Sequence, residues 1–209
     1  MMIKAAFGSL LVVLSVTAWT LAPESDSVSE VRGRTPELVE LFTSEGCSSC
    51  PPADLFLEKL DHQPVAGAEM IVLSEHVDYW NHIGWKDPYS AHLYSERQSV
   101  YGERFGLDSV YTPQMVVDGS SQFVGSNPAL ADEAFAKTLS VPKISVRLSL
   151  LSADPSGVYV HLDTGALEPS LDAREAGVQL AVALSRAESQ VSSGENAGHR
   201  LAHVRLSGA

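Results

Sequence analysis

Cysteine is scarce in this chain, with two in 209 residues. That is too few for a disulfide-stapled scaffold and too few for a structural zinc site, which takes four ligands. Cationic side chains are scarce as well. Against 26 Asp and Glu stand 14 Lys and Arg, and the net charge of −12 repels phosphate backbones and anionic membrane surfaces. Nucleic acid is therefore not an expected partner. Charged residues make up only 19% and hydrophobic residues 44%, with no long polar tract, so disorder is excluded as the main state. The length allows one large domain, or an ordinary domain with a smaller one beside it.

Long apolar runs are missing except at the N-terminus. There Lys4 precedes an apolar run from Ala5 to Trp19, and Thr20-Leu21-Ala22 has the small-x-small pattern of a signal peptidase site. Residues 1–22 read as a secretory signal, with a retained membrane anchor as the alternative. The run is shorter than the ~20 apolar residues a spanning helix needs. Residues 23–35, rich in Ser, Glu and Arg, read as a flexible leader. The expected location is periplasmic or secreted, with contact to a membrane only through the signal if it stays uncleaved.

The two cysteines stand together as Cys47-Ser48-Ser49-Cys50. A C-x-x-C pair in an exported chain points to redox chemistry. Its setting strengthens the reading. Glu37 to Thr43 is a short apolar strand stopped by Ser44-Glu45-Gly46, and after Pro51-Pro52 the residues Ala53 to Leu60 form an amphipathic helix. Met70 to Ser74 is a second strand, apolar enough to be covered on both faces. Asp87-Pro88 reads as a helix start, with the helix running through Leu93, Tyr94, Val100, Tyr101 and Phe105 to a Gly106 cap. Met115-Val116-Val117 and Gln122-Phe123-Val124 flank Asp118-Gly119, a hairpin signal, and Asn127-Pro128 opens a third helix ending near Leu139.

The order β-α-β-α-β-β-α over residues 36–141, with C-x-x-C between the first strand and first helix, predicts a thioredoxin-like α/β core. Residues 142–209 hold four β-like runs: Ile144 to Leu151, Val158 to Asp163, Val178 to Ser185 and Leu201 to Leu206. They read as an appended antiparallel β-rich C-terminal unit packed against the core.

Cys47 and Cys50 are the candidate reacting pair, because a helix start stabilises a thiolate and a second sulfur three residues on can release a mixed disulfide. Pro51 disfavours helical geometry at Cys50, so the helix can start at Pro51 or Pro52 and leave Cys50 nearest its terminus. Glu45 opposes a low Cys47 pKa. The choice of nucleophile stays open. Thr112-Pro113 stands just before a strand, where a cis bond would turn the Thr112 backbone toward the cysteines to pair with an extended substrate. A trans proline that simply starts the strand is the alternative. Glu40 lies within an apolar run, and there it either relays a proton to the second cysteine or reaches solvent at the sheet rim.

The segment His76-Val77-Asp78-Tyr79-Trp80-Asn81-His82, with Trp85 after it, is dense in His, Asp and aromatics at the sheet end where α/β ligands bind. It can supply a metal site from His76, Asp78 and His82 with the cysteines, an aromatic substrate wall including Trp80, or a packed lid.

Three stretches together carry a likeness to a known bacterial family: Leu41 to Asp54 around the cysteines, His76 to Trp80 with Gly84-Trp85-Lys86-Asp87-Pro88, and Tyr111-Thr112-Pro113-Gln114. The chain resembles domain of unknown function 1223. The resemblance runs from about Glu37 to the C-terminus and implies an exported thioredoxin-like protein with an appended β-rich region. It brings no established reaction. The chain stops at Leu206-Ser207-Gly208-Ala209, inside the expected final strand region.

The resulting expectation is a thiol-disulfide oxidoreductase acting on protein or small thiols, with no dissociable cofactor and an unidentified redox partner. Two alternatives use the same cysteines: a module holding a soft metal such as Cu(I) with help from His76, and an interaction domain with a structural disulfide.

Overall fold

Strand β1 (Thr35–Thr43) is buried along most of its length, because it lies between two other strands and under helices on both faces. The structure is a computed structural model and describes residues 33–63, 65–155, 157–166 and 177–208. The expected signal at 1–22 and the leader up to residue 32 lie outside the described residues. Thr35, assigned to the leader, is already the first residue of β1.

Helix α1 (Pro51–His62) follows β1 and leads to β2 (Ala68–His76), which pairs parallel with β1 from Thr35↔Ala68 to Thr43↔His76. Helix α2 (His92–Phe105) leads to the hairpin β3 (Gln114–Val117) and β4 (Ser121–Val124). Its turn has positive φ at Asp118 (47°) and Gly119 (57°), as a type I′ turn requires. Helix α3 (Pro128–Thr138) is capped by Asn127, whose Oδ1 accepts from the Leu130 N–H at 3.3 Å. The predicted β-α-β-α-β-β-α order and α/β class are found.

Alternation along β1 sends its side chains to two cores. Val39 and Leu41 face α1 and α3 with Leu57, Met115 and Phe135, whereas Phe42 faces α2 with Tyr94 and Val116. Each of these large side chains, fully removed from water, contributes roughly 1.5–3 kcal/mol.

Two stretches differ from the sequence reading. Asp87-Pro88 does not start a helix: α2 begins at His92 with Ala91 as its N-cap. Asp87 uses its carboxylate in a turn instead, accepting from the Tyr89 N–H at 2.9 Å and bonding His76 at 2.7 Å. The residues after 142 also divide. Strands β5 (Val146–Asp154) and β6 (Gly157–Thr164) make a separate hairpin, but β7 (Ala183–Gln190) and β8 (Arg200–Ser207) join the main sheet in the order β4-β3-β1-β2-β8-β7. Strand β8 runs parallel to β2 through Ser74↔Leu206 and adds Val204 to the α1-side core. An edge left open at β2 would expose unpaired backbone, and β8 covers it. The third β-like run spans 178–185 in the sequence, yet β7 starts at Ala183 because its antiparallel register with β8 decides which residues pair. Val178, Leu180 and Val182 stay exposed.

Candidate functional site

The cysteines sit where β1 turns into α1. The Cys47 N–H donates to Ser44 O at 3.1 Å, and Cys50 N–H donates to Cys47 O at 3.2 Å. Pro51 and Pro52 fill the first helical positions, where an N–H would have no partner. Cys50 is the N-cap and holds helical angles (φ −79°, ψ −38°) despite the following proline. Its carbonyl accepts from Ala53 and Asp54 at 2.8 and 3.1 Å, which fixes that geometry. The two sulfurs form a disulfide with Cα atoms 5.4 Å apart.

Both cysteines are completely buried, while Ser48 and Ser49 between them are exposed. The loop from β7 to β8 contributes the cover. Asn196 Nδ2 donates to Glu45 O at 2.9 Å and to Cys47 O at 3.0 Å, and Glu195 accepts from the Ser48 N–H at 3.1 Å.

Trp80, Thr112 and Pro113 gather on the neighbouring side. A Cβ at Gly46 would come within 3.1 Å of Trp80 Cβ, a tight approach that glycine avoids, so Trp80 packs against the turn before Cys47. Trp80 Nε1 donates to Thr112 Oγ1 at 2.8 Å. The Thr112-Pro113 bond is cis. Pro113 O accepts from Gly125 N–H at 2.9 Å, and a Cβ at Gly125 would lie 3.2 Å from Ala53 and 3.5 Å from Pro113, which puts Pro113 beside the first turn of α1.

Glu40 is fully buried but belongs to the other face of the sheet. It accepts from Arg97 Nε and from the Tyr101 hydroxyl, each at 2.5 Å, both on α2. The Arg97 contact, rather than a cysteine, accounts for this buried charge. The acid on the α1 side is Asp54, one helical turn after Cys50. Burial pushes Asp54 up to about 7, with the nearby His203 pulling the other way and Asp87 and Glu45 adding to the rise.

Around Asp54 lies a buried polar cluster drawn from distant parts of the chain. His203 on β8 places Nε2 3.1 Å from Glu45 Oε1 and Nδ1 3.9 Å from Asp54 Oδ1. Trp85 Nε1 donates to the other Glu45 oxygen at 2.8 Å. The His76 and His203 rings meet edge to face at 4.5 Å, and His76 Nδ1 holds Asp87 Oδ2. Burial opposes ionisation of Asp87, but the bond and charge of His76 and the amides of Glu45 and Tyr89 outweigh it and hold Asp87 below the usual range. His76 and Asp78 do not converge as metal ligands, since Asp78 pairs with Ser95 and His92. Among the described residues no group of three or more His, Cys, Asp or Glu is arranged to hold a metal ion.

With this geometry in view, the profile of the family described as protein of unknown function (DUF1223) matches residues 38–207. The chain belongs to the DUF1223 family. A solved crystal structure of a protein from Agrobacterium tumefaciens is similar, at 28% identity over 80% of this chain and 76% of that one, with a TM-score of 0.57. No curated protein matches the chain.

For this DUF1223 member, sequence reasoning missed Asp54, His203 and Asn196. A signal for Asp54 existed: an acid four residues after Cys50 occupies the same helix face as that cysteine. His203 also had one, as a His between the apolar Ala202 and Val204 in a β-like run. Neither signal names the other residue, because the contact joins α1 to the last strand.

Proposed function

We propose that this chain carries out thiol-disulfide exchange on protein or small-molecule thiols and disulfides through Cys47 and Cys50. The observation that carries this reading is the closed disulfide at the β1-to-α1 junction, with Cys50 capping the helix. A helix N-terminus next to the pair favours a thiolate in it once the bond opens. The thioredoxin-like element order, and the grouping of Trp80, Thr112 and Pro113 beside the pair, support a platform for an extended substrate. Electrons come from the substrate thiol, so the chemistry needs no dissociable cofactor. We place this exchange outside the cytoplasm on the strength of the apolar run from Ala5 to Trp19 and the cleavage pattern after it.

A second reading has a specific observation in its favour. Complete burial of both cysteines under Asn196 suits a structural disulfide in an interaction domain. Equilibration with glutathione buffers, followed by alkylation and mass spectrometry, separates the two. A potential between about −120 and −270 mV supports exchange, and one below about −300 mV supports the structural role.

A further inference from the structure

The buried cluster contains two polar atoms that face each other 3.9 Å apart, Asp54 Oδ1 and His203 Nδ1, with the buried Thr43 hydroxyl as the other group that favours the ionised form of Asp54. The opposite ring nitrogen, Nε2, faces the Glu45 carboxylate, which also accepts from Trp85. With Trp85 occupying Glu45 Oε2, hydrogen is assigned to His203 Nε2, where it gives Glu45 Oε1 its donor. Nδ1 of a neutral His203 is then a lone pair aimed at an acceptor oxygen. Two facing acceptors in a dry site repel unless one proton lies between them. That proton sits on Asp54 as a carboxylic acid or on His203 as an imidazolium.

The position of Asp54 says what the proton serves. Asp54 is four residues after Cys50, its N–H donates to Cys50 O, and both side chains are buried against the sheet. Side chains at this spacing are neighbours on a helix surface. Cys47 precedes the helix and lacks such a neighbour. Every titratable group packed around the pair is accounted for: Glu45 from the β1–α1 turn, His203 from β8, and His76 with Asp87 from the other side of the His203 ring.

We propose that Asp54 and His203 form a shared proton carrier for Cys50, which makes Cys50 the leaving and resolving sulfur and Cys47 the sulfur that substrate attacks once the Asn196 loop uncovers it. The proposal rests on the exchange reading above. In the reducing direction a substrate thiolate attacks Cys47 Sγ, the Cys47–Cys50 bond breaks, and its electron pair stays on Cys50 Sγ. Cys50 takes the shared proton and becomes a thiol, while Cys47 is held as a mixed disulfide with the substrate. In reverse, the Cys50 thiol returns its proton to Asp54, and the thiolate attacks Cys47 Sγ and expels the substrate thiolate. Strand β8 thereby supplies a working part of the site. Asp54 ionises at about 7, so it can both give and take a proton near neutral pH.

The test is the rate at which dithiothreitol reduces the disulfide, divided by the concentration of its thiolate, from pH 5 to pH 9, in the full-length oxidised protein. Asp54→Asn keeps the shape and can still donate to His203, but it carries no transferable proton. It should be about 100-fold slower than wild type at pH 6, with the two rates converging by pH 9, where Asp54 has already lost its proton. His203→Gln removes the ring that pulls Asp54 down, so the wild-type fall in rate should move to higher pH. A ratio between Asp54→Asn and wild type that is constant across pH, or equal to one throughout, overturns the carrier. Should Asp54→Asn not fold, the shift in His203→Gln decides, and its absence overturns the proposal. A wild-type disulfide that dithiothreitol cannot open at any pH overturns the exchange reading itself, a result distinct from normal exchange with a flat ratio.

Discussion

Replacing Arg97 with Met tests whether the buried acids beneath α2 depend on its guanidinium. Arg97 Nε lies 2.5 Å from Glu40 Oε1 and 3.6 Å from Glu75 Oε1. Burial, and then the charge of Glu40, push Glu75 up to about 8, while Arg97 pulls it back. Removing the guanidinium leaves two buried carboxyls with the Tyr101 hydroxyl as the remaining donor to Glu40. Breaking a buried pair from one side costs about 3–5 kcal/mol, whereas an exposed pair is worth at most about 1 kcal/mol. The Arg97 side chain is 29% exposed, so water can enter the vacated space and the low end, about 3 kcal/mol, is expected. The sign of the pH dependence follows from the raised acid. A carboxyl whose folded pKa is raised binds more protons folded than unfolded, so stability falls as pH rises toward that value. Wild-type Glu75 is already mostly protonated below pH 8, so losing the pull of Arg97 adds protons to the folded variant chiefly above that pH. The loss of about 3 kcal/mol at pH 7 should therefore grow by up to about 1.4 kcal/mol at pH 9. Urea unfolding at the two pH values, with unchanged slopes, measures it. Adding Glu40→Gln should restore most of the stability at pH 7. A loss under about 1 kcal/mol at pH 7, or a smaller loss at pH 9 than at pH 7, would refute the reasoning.

Three further outcomes are expected. Asn196→Ala removes both side-chain bonds to the Glu45 and Cys47 carbonyls and should speed reduction of the disulfide by glutathione about tenfold, the equivalent of about 1.4 kcal/mol in opening the loop; an unchanged rate would show that this loop does not limit access. Gly125→Ala brings a Cβ to 2.7 Å from Leu41 Cδ1 inside the core and should cost about 1–3 kcal/mol, read as a lowered Tm, with an unchanged Tm counting against tight packing between Pro113 and α1. Cys50→Ser should accumulate a glutathione adduct on Cys47 by mass spectrometry, and Cys47→Ser should accumulate far less, because attack falls on Cys47 and the first variant keeps that sulfur while removing the one that resolves it; equal trapping would overturn the assignment of the two sulfurs, and more trapping in Cys47→Ser would reverse it.

Local chemistry in the sequence determined a good deal. The C-x-x-C pair, the prolines that start α1 and α3, the positive-φ turn at Asp118-Gly119 and the apolar β1 and β2 follow from short-range rules of capping, turn geometry and periodicity, and each is present. Where local rules served two masters they failed. Asp87-Pro88 has the makeup of a helix start, but the Asp87 carboxylate is engaged by His76 and by the backbone N–H of Glu45, so a turn forms instead. Glu40 was legible as an unusual buried acid, yet its direction depends on which face of β1 packs on α1 and which on α2, and alternation alone does not label the faces. Only the tertiary structure could join Asp54 to His203, or Asn196 to Cys47. Those contacts span about 150 positions and exist because β8 pairs with the open edge of β2, a choice made by backbone pairing and burial across the whole sheet rather than by any residue's neighbours in the chain.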